Sequence, residues 1–208
     1  MIHSSTKRLA AVALAAGVMA STLSACFPLV AGGIAGGAML AADRRTSGAQ
    51  LEDEGIELRA VSRIRTGFGE RVHVNVTSYN RQVLLTGEVG SAQDKTAVEQ
   101  LVAQVENVQF VANELGVMAG STLGQRSSDT LVTGRVKAAL IDARDLQFNA
   151  FKVVTERGTV YLLGRVTQRE ADRATEVVRT TSDVMKVVRV FEILSEAELA
   201  RLQPPTSK

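Results

Sequence analysis

Two stretches of the chain share one pattern of apolar and polar residues. Residues 72–89 and residues 150–166 each contain two runs of alternating apolar and polar positions around a short polar segment. Alternation with a period of two is typical of a half-buried β-strand, and two such runs around a turn predict a β-hairpin. We place the turns at Tyr79 to Arg81 and at Glu156 to Gly158, where Asn and Gly tolerate positive φ. The chain therefore contains an internal repeat.

Apolar residues spaced by three or four positions predict a helix on each side of both hairpins. The helices after the hairpins begin at Ser91 and at Thr167, and Thr167 forms a capping box with Glu170. The helices before the hairpins are expected over 53–66 and 130–143. Their inward positions are Leu58, Val61, Ile64 and Phe68 in the first copy and Val132, Val136, Ala139, Leu140 and Ala143 in the second.

A third strand closes each copy, over 108–117 in the first and 184–194 in the second. Each copy is then an α-β-β-α-β unit, so the fold class is α+β with two tandem domains. We expect each domain to have a three-stranded mixed sheet with two helices packed on it. We interpret residues 119–127 as a Gly/Ser linker between the copies, and a capping box at Ser195 predicts a short C-terminal helix.

The N-terminus has the pattern of an export signal. Lys7 and Arg8 precede an Ala-rich apolar run that ends in Leu23-Ser24-Ala25-Cys26. A basic start, a short apolar segment and small residues before a cleavage site are typical of a secretory signal rather than of a structural helix. The last four residues form a lipobox, which predicts that Cys26 becomes the first mature residue and carries covalent acyl chains. The alternative is an ordinary secretory signal that happens to contain a Cys.

A second apolar stretch follows the lipobox, over residues 27–42. It is shorter than the roughly 20 residues that a membrane-spanning helix needs. Pro28 and four glycines also disfavour a helix there. We predict a pliant segment near the lipid anchor rather than a spanning helix, and a polar linker over residues 43–48.

Composition excludes several classes of function. Without Lys7 and Arg8 the mature chain has 22 bases and 22 acids, which gives no basic excess for a nucleic acid. Cys26 is the only Cys, so there is no internal disulfide framework. His73 is the only mature His and lies on the polar side of an alternating run, so we interpret it as a half-exposed strand residue. No catalytic residue, metal site or cofactor is predicted.

The lipobox followed by two α-β-β-α-β repeats resembles the BON-domain family, and within it the lipoproteins that carry two BON domains. The stretches that carry the resemblance are Val74–Tyr79, Val83–Gly87, Lys152–Glu156 and Val166–Ala171. The resemblance implies a non-enzymatic protein on the periplasmic face of the outer membrane of a Gram-negative bacterium. It also implies that the second domain binds anionic phospholipid, and that the protein supports envelope integrity and is enriched at division sites.

The domain organisation follows from the lipobox, the repeat and this resemblance. The expected segments are a signal peptide over 1–25, a lipidated linker over 26–49, a first BON domain over 50–119, a linker over 120–126, a second BON domain over 127–195, and a C-terminal helix and tail over 196–208.

In the family the first helix of the second domain meets the membrane. Leu131 falls about 120° from the inward stripe of the corresponding helix here, at 100° per residue. An outer face with apolar residues and flanking bases suits shallow insertion beside anionic head groups. The predicted phospholipid-binding residues are Leu131, Gly134, Arg135, Lys137, Ala138 and Ile141, with Arg144 beside them. The matching helix of the first repeat shows Arg59, Ser62, Arg63 and Thr66 outward, and we expect no such patch there. The alternative is that Leu131 and Ile141 pack inside the protein.

Charge favours the second domain as the partner of an anionic surface. Residues 51–118 carry 6 bases and 10 acids, whereas residues 127–203 carry 12 bases and 11 acids. Two other functions remain open: an adaptor that binds other envelope proteins through sheet edges or the same helix, and a periplasmic hydrolase. The scarcity of His and Cys disfavours the hydrolase.

Overall fold

The computed structural model describes residues 43–202. The predicted signal peptide, the lipidation site Cys26, the apolar segment 27–42 and the end of the C-terminal tail lie outside the described residues.

The first domain has the predicted order of elements. They are α1 (Ser47–Phe68), β1 (Val72–Tyr79), β2 (Gln82–Val89), α2 (Ala92–Ala103), β3 (Phe110–Asn113) and β4 (Gly116–Val117). β1 pairs antiparallel with β2, while β3 and β4 both pair parallel with β2. The third strand is therefore a single path interrupted at Glu114 and Leu115, where the Leu115 N–H donates to the side-chain oxygen of Asn113.

The second domain repeats this order. Its elements are α3 (Leu123–Asp142), β5 (Phe151–Glu156), β6 (Thr159–Thr167), α4 (Gln168–Arg179) and β7 (Lys186–Leu194), followed by the short helix α5 (Glu196–Leu202). β5 pairs antiparallel with β6, and β7 pairs parallel with β6 over nine residues. Both copies thus confirm the α-β-β-α-β prediction and the mixed three-stranded sheet.

Each hairpin turn is held by a buried aspartate from the preceding helix. The turns have two residues, Asn80-Arg81 and Arg157-Gly158, all at positive φ, as tight hairpins require. Asp53 accepts hydrogen bonds from the Asn80 and Arg81 N–H groups at 2.7 and 2.8 Å. Asp129 accepts the equivalent bonds from Arg157 and Gly158 at 2.8 and 2.9 Å. These two aspartates fix each helix to its hairpin, and the apolar pattern gave no sign of them.

Each pair of helices packs on one face of its own sheet. In the first domain the core is formed by Ile56, Ala60, Val83, Leu85, Val98 and Val102. In the second it is formed by Val136, Leu140, Val160, Leu162, Ala174 and Val178.

A third apolar core joins the two sheets. Tyr79 and Leu84 of the first domain pack with Tyr161, Leu163 and Val190 of the second. Because side chains alternate along a strand, Leu84 and Leu163 face the opposite side of the sheet from Leu85 and Leu162. The faces that the helices leave bare therefore pack against each other, and the layers run helices, sheet, sheet, helices.

Polar contacts surround this interdomain core. Lys152 pairs with Glu57 at 3.0 Å, and the Asn80 amide donates to Glu192 at 2.6 Å. Arg157 pairs with the buried Glu88 at 2.6 Å. Hydrophobic burial and specific polar pairs together set how the two domains lie.

Residues 43–45 are part of this interface, so the prediction that they form a plain polar linker is wrong. Arg44 is buried and contacts both carboxylate oxygens of Glu170 in the second domain at 2.7 Å. It also donates to the carbonyl of Arg165 at 2.8 Å. Arg45 pairs with Asp53 at 2.8 Å, and its guanidinium lies over the Tyr79 ring at 4.2 Å. The segment links the start of α1 to the second domain.

The first helix differs from its prediction in start and in orientation. It begins at Ser47, six residues before the expected position, with Thr46 as its N-cap. Leu58 is 73% exposed and Val61 is also exposed, so their predicted inward positions are wrong. The buried stripe instead begins with Asp53 and continues through Ile56, Ala60 and Ile64. An acidic residue inside the stripe hides the true period from a search for apolar residues.

The helix α3 also begins early, at Leu123 rather than at Thr130. Thr122 and Gln125 form a capping box that the Gly/Ser composition masked, so residues 123–127 are helical and are not a linker. The inward positions Val132, Val136 and Leu140 are buried as predicted.

Candidate membrane-binding surface

The helix α3 is positioned rigidly by its buried side. Val132, Val136 and Leu140, spaced by four, face the second sheet, and Asp129 binds the hairpin turn between β5 and β6. With one side fixed in this way, the opposite side of the helix is presented to the exterior. It is the side on which the predicted phospholipid-binding residues lie.

All six predicted residues are exposed. Leu131 is 63% exposed and Ile141 is 58% exposed, and Ala138 is exposed between them. A Cβ built on Gly134 would have no neighbouring atom within 4 Å, so the surface is open there as well. Leu131 and Ile141 are not buried by any other part of residues 43–202, so the alternative of internal packing does not hold within that range. What this surface binds stays a prediction.

The bases around the surface are not equivalent. Arg135 forms an ion pair with Asp183, from the loop before β7, so much of its charge is compensated. The side chains of Lys137 and Arg144 are exposed, and they form no hydrogen bond or ion pair within residues 43–202. The positive charge available to an anionic surface therefore comes mainly from Lys137, Arg144 and Arg126, whose side chain bonds only to the Ser121 hydroxyl.

An exposed leucine extends the surface beyond the prediction. Leu123, at the start of α3, is 81% exposed. It is five turns before Ile141 and on the same side of the helix, because 18 residues at 100° make whole turns. Met185 is 83% exposed, but the shallow cavity of about 380 Å³ that it lines also includes Asp129 and Val132 of the buried side of α3, so Met185 is not part of the outward face. Leu123 was hidden by the linker interpretation.

The first helix also carries exposed apolar residues, so the predicted contrast between the two helices is wrong. Leu51 and Leu58, seven residues apart, are both exposed on the side opposite Ile56. Charge distinguishes the helices instead. The first domain is net acidic over residues 51–118, whereas over residues 127–203 the second has one more base than acids. Lys137 and Arg144 flank the surface of α3, and the exposed Asp142 beside Ile141 offsets part of their charge.

His73, the only histidine among residues 43–202, belongs to a polar network between the domains. His73 Nδ1 lies 2.8 Å from Glu88 Oε2, and Arg157 binds the other oxygen of Glu88. Burial alone would raise the pKa of Glu88, but the hydrogen bonds with His73 and Arg157 outweigh it and hold the pKa below its usual value. His73 is half-exposed as predicted, and its partner Glu88 was not foreseen.

Two further observations bear on the site. Within residues 43–202 no group of three or more His, Cys, Asp or Glu side chains is arranged to hold a metal ion. No helix in the same range is long and apolar enough to cross a membrane.

Comparison with known protein families matches the BON domain to residues 58–119 and again to residues 128–195. The chain belongs to the BON-domain family. The BON repeats correspond to the two α-β-β-α-β units, and α3 is the first helix of the second BON domain.

Two curated BON relatives match most of the chain. The outer membrane lipoprotein DolP of Haemophilus influenzae is 36% identical over 174 residues, which is 83% of this chain and 90% of the relative. A 21 kDa hemolysin of Actinobacillus pleuropneumoniae is 32% identical over 151 residues, which is 72% of this chain and 78% of the relative.

Among solved structures, the chain is similar to CdsD, a structural protein of the type III secretion system of Chlamydia trachomatis. The identity is 13% and the TM-score is 0.30, with 73% of this chain and 99% of that chain covered. A likeness at that TM-score supports no conclusion about this protein.

Proposed function

We propose that this BON protein is an outer-membrane lipoprotein that binds anionic phospholipid through the outward face of α3. The anchor would be the acyl chains on Cys26, at the periplasmic face. The similarity to the outer membrane lipoprotein of Haemophilus influenzae and the lipobox support the anchoring. The observation that carries the phospholipid contact is the exposure of Leu131 and Ile141 opposite a buried stripe, with Lys137 and Arg144 beside them.

The expected affinity of this face can be worked out from its residues. Full burial of a Leu or Ile contributes roughly 1.5–3 kcal/mol, so two side chains about 60% exposed contribute roughly 2–4 kcal/mol on insertion. Two bases near an anionic surface add about 1 kcal/mol each. The sum, about 4–6 kcal/mol, corresponds to dissociation constants between roughly 1 mM and tens of micromolar. Such weak binding becomes effective when the acyl chains hold the protein at the membrane.

Liposome co-sedimentation of the non-lipidated chain, residues 27–208, tests the proposal. Binding is expected with vesicles that contain phosphatidylglycerol and not with pure phosphatidylcholine vesicles. Leu131→Glu should weaken binding by at least roughly tenfold, because it removes an inserted side chain and adds a negative charge. Leu58→Glu is the matched control, since Leu58 is at least as exposed as Leu131 and lies on α1 of the acidic domain. Equal loss in both variants, or no loss in Leu131→Glu, would show that α3 is not the contact.

The resemblance extends the proposal to a cellular role, support of outer-membrane integrity at division sites. A fluorescent fusion of the full chain should concentrate at the septum, and Leu131→Glu should disperse it. A uniform distribution of the unmodified fusion around the cell would contradict this part of the proposal.

A further inference from the structure

The free edges of the two sheets meet at one side of the interdomain core. The strand β3 is an edge of the first sheet and β7 is an edge of the second. Between them lies a cleft of about 580 Å³, lined by Phe110, Val111, Ala112 and Asn113 on one side and by residues 188–191 of β7 on the other. The helix α3 contributes no residue to this cleft, so the cleft is separate from the candidate membrane surface.

Within residues 43–202 no strand pairs with the outer edge of β7. β7 runs for nine residues without a proline and pairs with β6 on one side. Along a parallel strand, alternate N–H and C=O groups point away from the partner. Within residues 43–202 the backbone N–H and C=O groups of β7 that point away from β6 form no hydrogen bond. Many proteins protect such an edge with a bulge, a proline, a covering element or charged side chains. The path of β3 and β4 is interrupted at Glu114 and Leu115, whereas β7 is uninterrupted and carries three charged residues, Lys186, Arg189 and Glu192.

Depressions lie on both faces of this edge. On the side of the first domain, Ala112, Val188 and Val190 belong to or pack on the interdomain core, so the cleft continues that interface outward. On the other face, Phe191 and Ile193 form a second depression of about 240 Å³ with Gln168 and Ala171 of α4.

This arrangement specifies an extended polypeptide as the occupant. A strand added to β7 would use the free backbone groups, and its side chains would point alternately to the two faces. Side chains on one face of the added strand would enter the cleft beside Phe110, and side chains on its other face would enter the depression beside Ile193. A lipid chain could fill a depression but could not satisfy the backbone donors and acceptors between the two.

We propose that the edge of β7 binds an extended segment of another protein by strand addition, with apolar residues at alternate positions of that segment. The protein would then hold a polypeptide partner while α3 contacts the membrane. This inference does not depend on the phospholipid proposal.

A peptide titration tests it with the non-lipidated chain labelled with ¹⁵N. The probe is an acetylated, amidated peptide Lys-Thr-Val-Thr-Val-Thr-Lys, and its control carries an N-methyl group on every peptide-bond nitrogen, so that neither edge of the control strand can donate to β7. The first peptide should shift the amide signals of residues 186–194 and 110–113, and the N-methylated peptide should not, because it lacks the donors that pair with β7.

Variants locate the site. Phe110→Lys and Ile193→Lys each place a charge in one depression at a side chain that is half-exposed, so the fold should persist. Each should weaken binding of the first peptide by at least roughly fivefold. Leu58→Lys and Leu131→Glu lie outside the cleft and should leave peptide binding unchanged, which separates this result from a failure of the phospholipid proposal.

Four results would overturn the proposal. They are the absence of peptide-induced shifts in residues 186–194, equal binding of the N-methylated peptide, a shift of the same amides by phosphatidylglycerol vesicles, and a dimer in sedimentation velocity whose β7 amides are already protected from hydrogen exchange. The last result would assign the edge to a second copy of this chain.

Discussion

Replacing Arg44 by Met should destabilise the protein strongly, although Arg44 lies outside both matched BON regions. Its guanidinium is buried and donates to both oxygens of Glu170 at 2.7 Å and to two further acceptors, Gln147 and the Arg165 carbonyl. Met fills the space of the aliphatic part but leaves the Glu170 carboxylate buried without its cation. Breaking one partner of a buried ion pair costs about 3–5 kcal/mol.

Because Glu170 is titratable, the effect of Arg44→Met on the free energy of unfolding should also depend on pH. Burial alone would raise the pKa of Glu170, but the bonds from Arg44 and from the Thr167 N–H outweigh it and hold the pKa below its usual value. A depressed folded-state pKa contributes stability above the unfolded value of about 4.3, and this stability is lost as the pH falls through the folded value. The difference in the free energy of unfolding between the original protein and Arg44→Met should therefore become smaller below about pH 4.

Urea denaturation at pH 7 and at pH 3.5 measures both effects. Arg173→Met is the matched control, because Arg173 pairs with Asp145 at 2.9 Å on the surface, where water and salt screen the pair and little stability is lost when it is broken. Adding Glu170→Gln to Arg44→Met should recover part of the loss, since no unpaired buried charge then remains. Both variants are compared by the free energy of unfolding that they lose at pH 7. If the two losses differ by less than about 1 kcal/mol, the reasoning about the buried ion pair is refuted.

Three further predictions concern single positions. Asp53→Asn should lower the free energy of unfolding by about 2–4 kcal/mol at pH 7. The loss should be smaller below about pH 4, because burial alone would raise the pKa of Asp53 but its hydrogen bonds outweigh burial and hold the pKa below its usual value. Urea denaturation measures both values, and an equal loss at both pH values would contradict this. Gly87→Ala and Gly164→Ala should each cost at least about 2 kcal/mol in the same assay, since an added Cβ would lie 2.1 Å from the His73 carbonyl oxygen and 2.4 Å from the Ala150 carbonyl oxygen; a soluble variant of unchanged midpoint would disprove the close approach. Gly134→Ala should stabilise α3 by about 0.5–1 kcal/mol, seen as a higher melting temperature, because the position is helical and its surroundings are open; a lower melting temperature would be the contrary result.

Local signals in the sequence were sufficient for most of the secondary structure. The turn Arg157-Gly158 and the capping box of Thr167 with Glu170 occur where the pattern predicted them. These features depend on neighbouring residues, so a single stretch contains the information. The same is true of the outward position of Leu131, which follows from the period of α3 alone.

Features that depend on distant residues could not be predicted. The buried Asp53 makes sense only when the hairpin turn it binds is known, and without it the stripe of α1 was misplaced onto Leu58. The packing of Leu84 against Tyr161 joins residues that are far apart in the chain and belong to different repeats. The cleft at β7 arises from the same interdomain packing, so no local pattern indicates it.

The central claim, that the outward face of α3 meets anionic phospholipid, is tested most directly by residue-resolved NMR. Phosphatidylglycerol bicelles would be titrated into the ¹⁵N-labelled, non-lipidated chain in the presence of a paramagnetic lipid. The account predicts the strongest signal loss at Leu131, Ala138 and Ile141, weaker loss at Leu123, and little at Leu51 and Leu58. Signal loss centred on α1, or spread evenly over both domains, would contradict it.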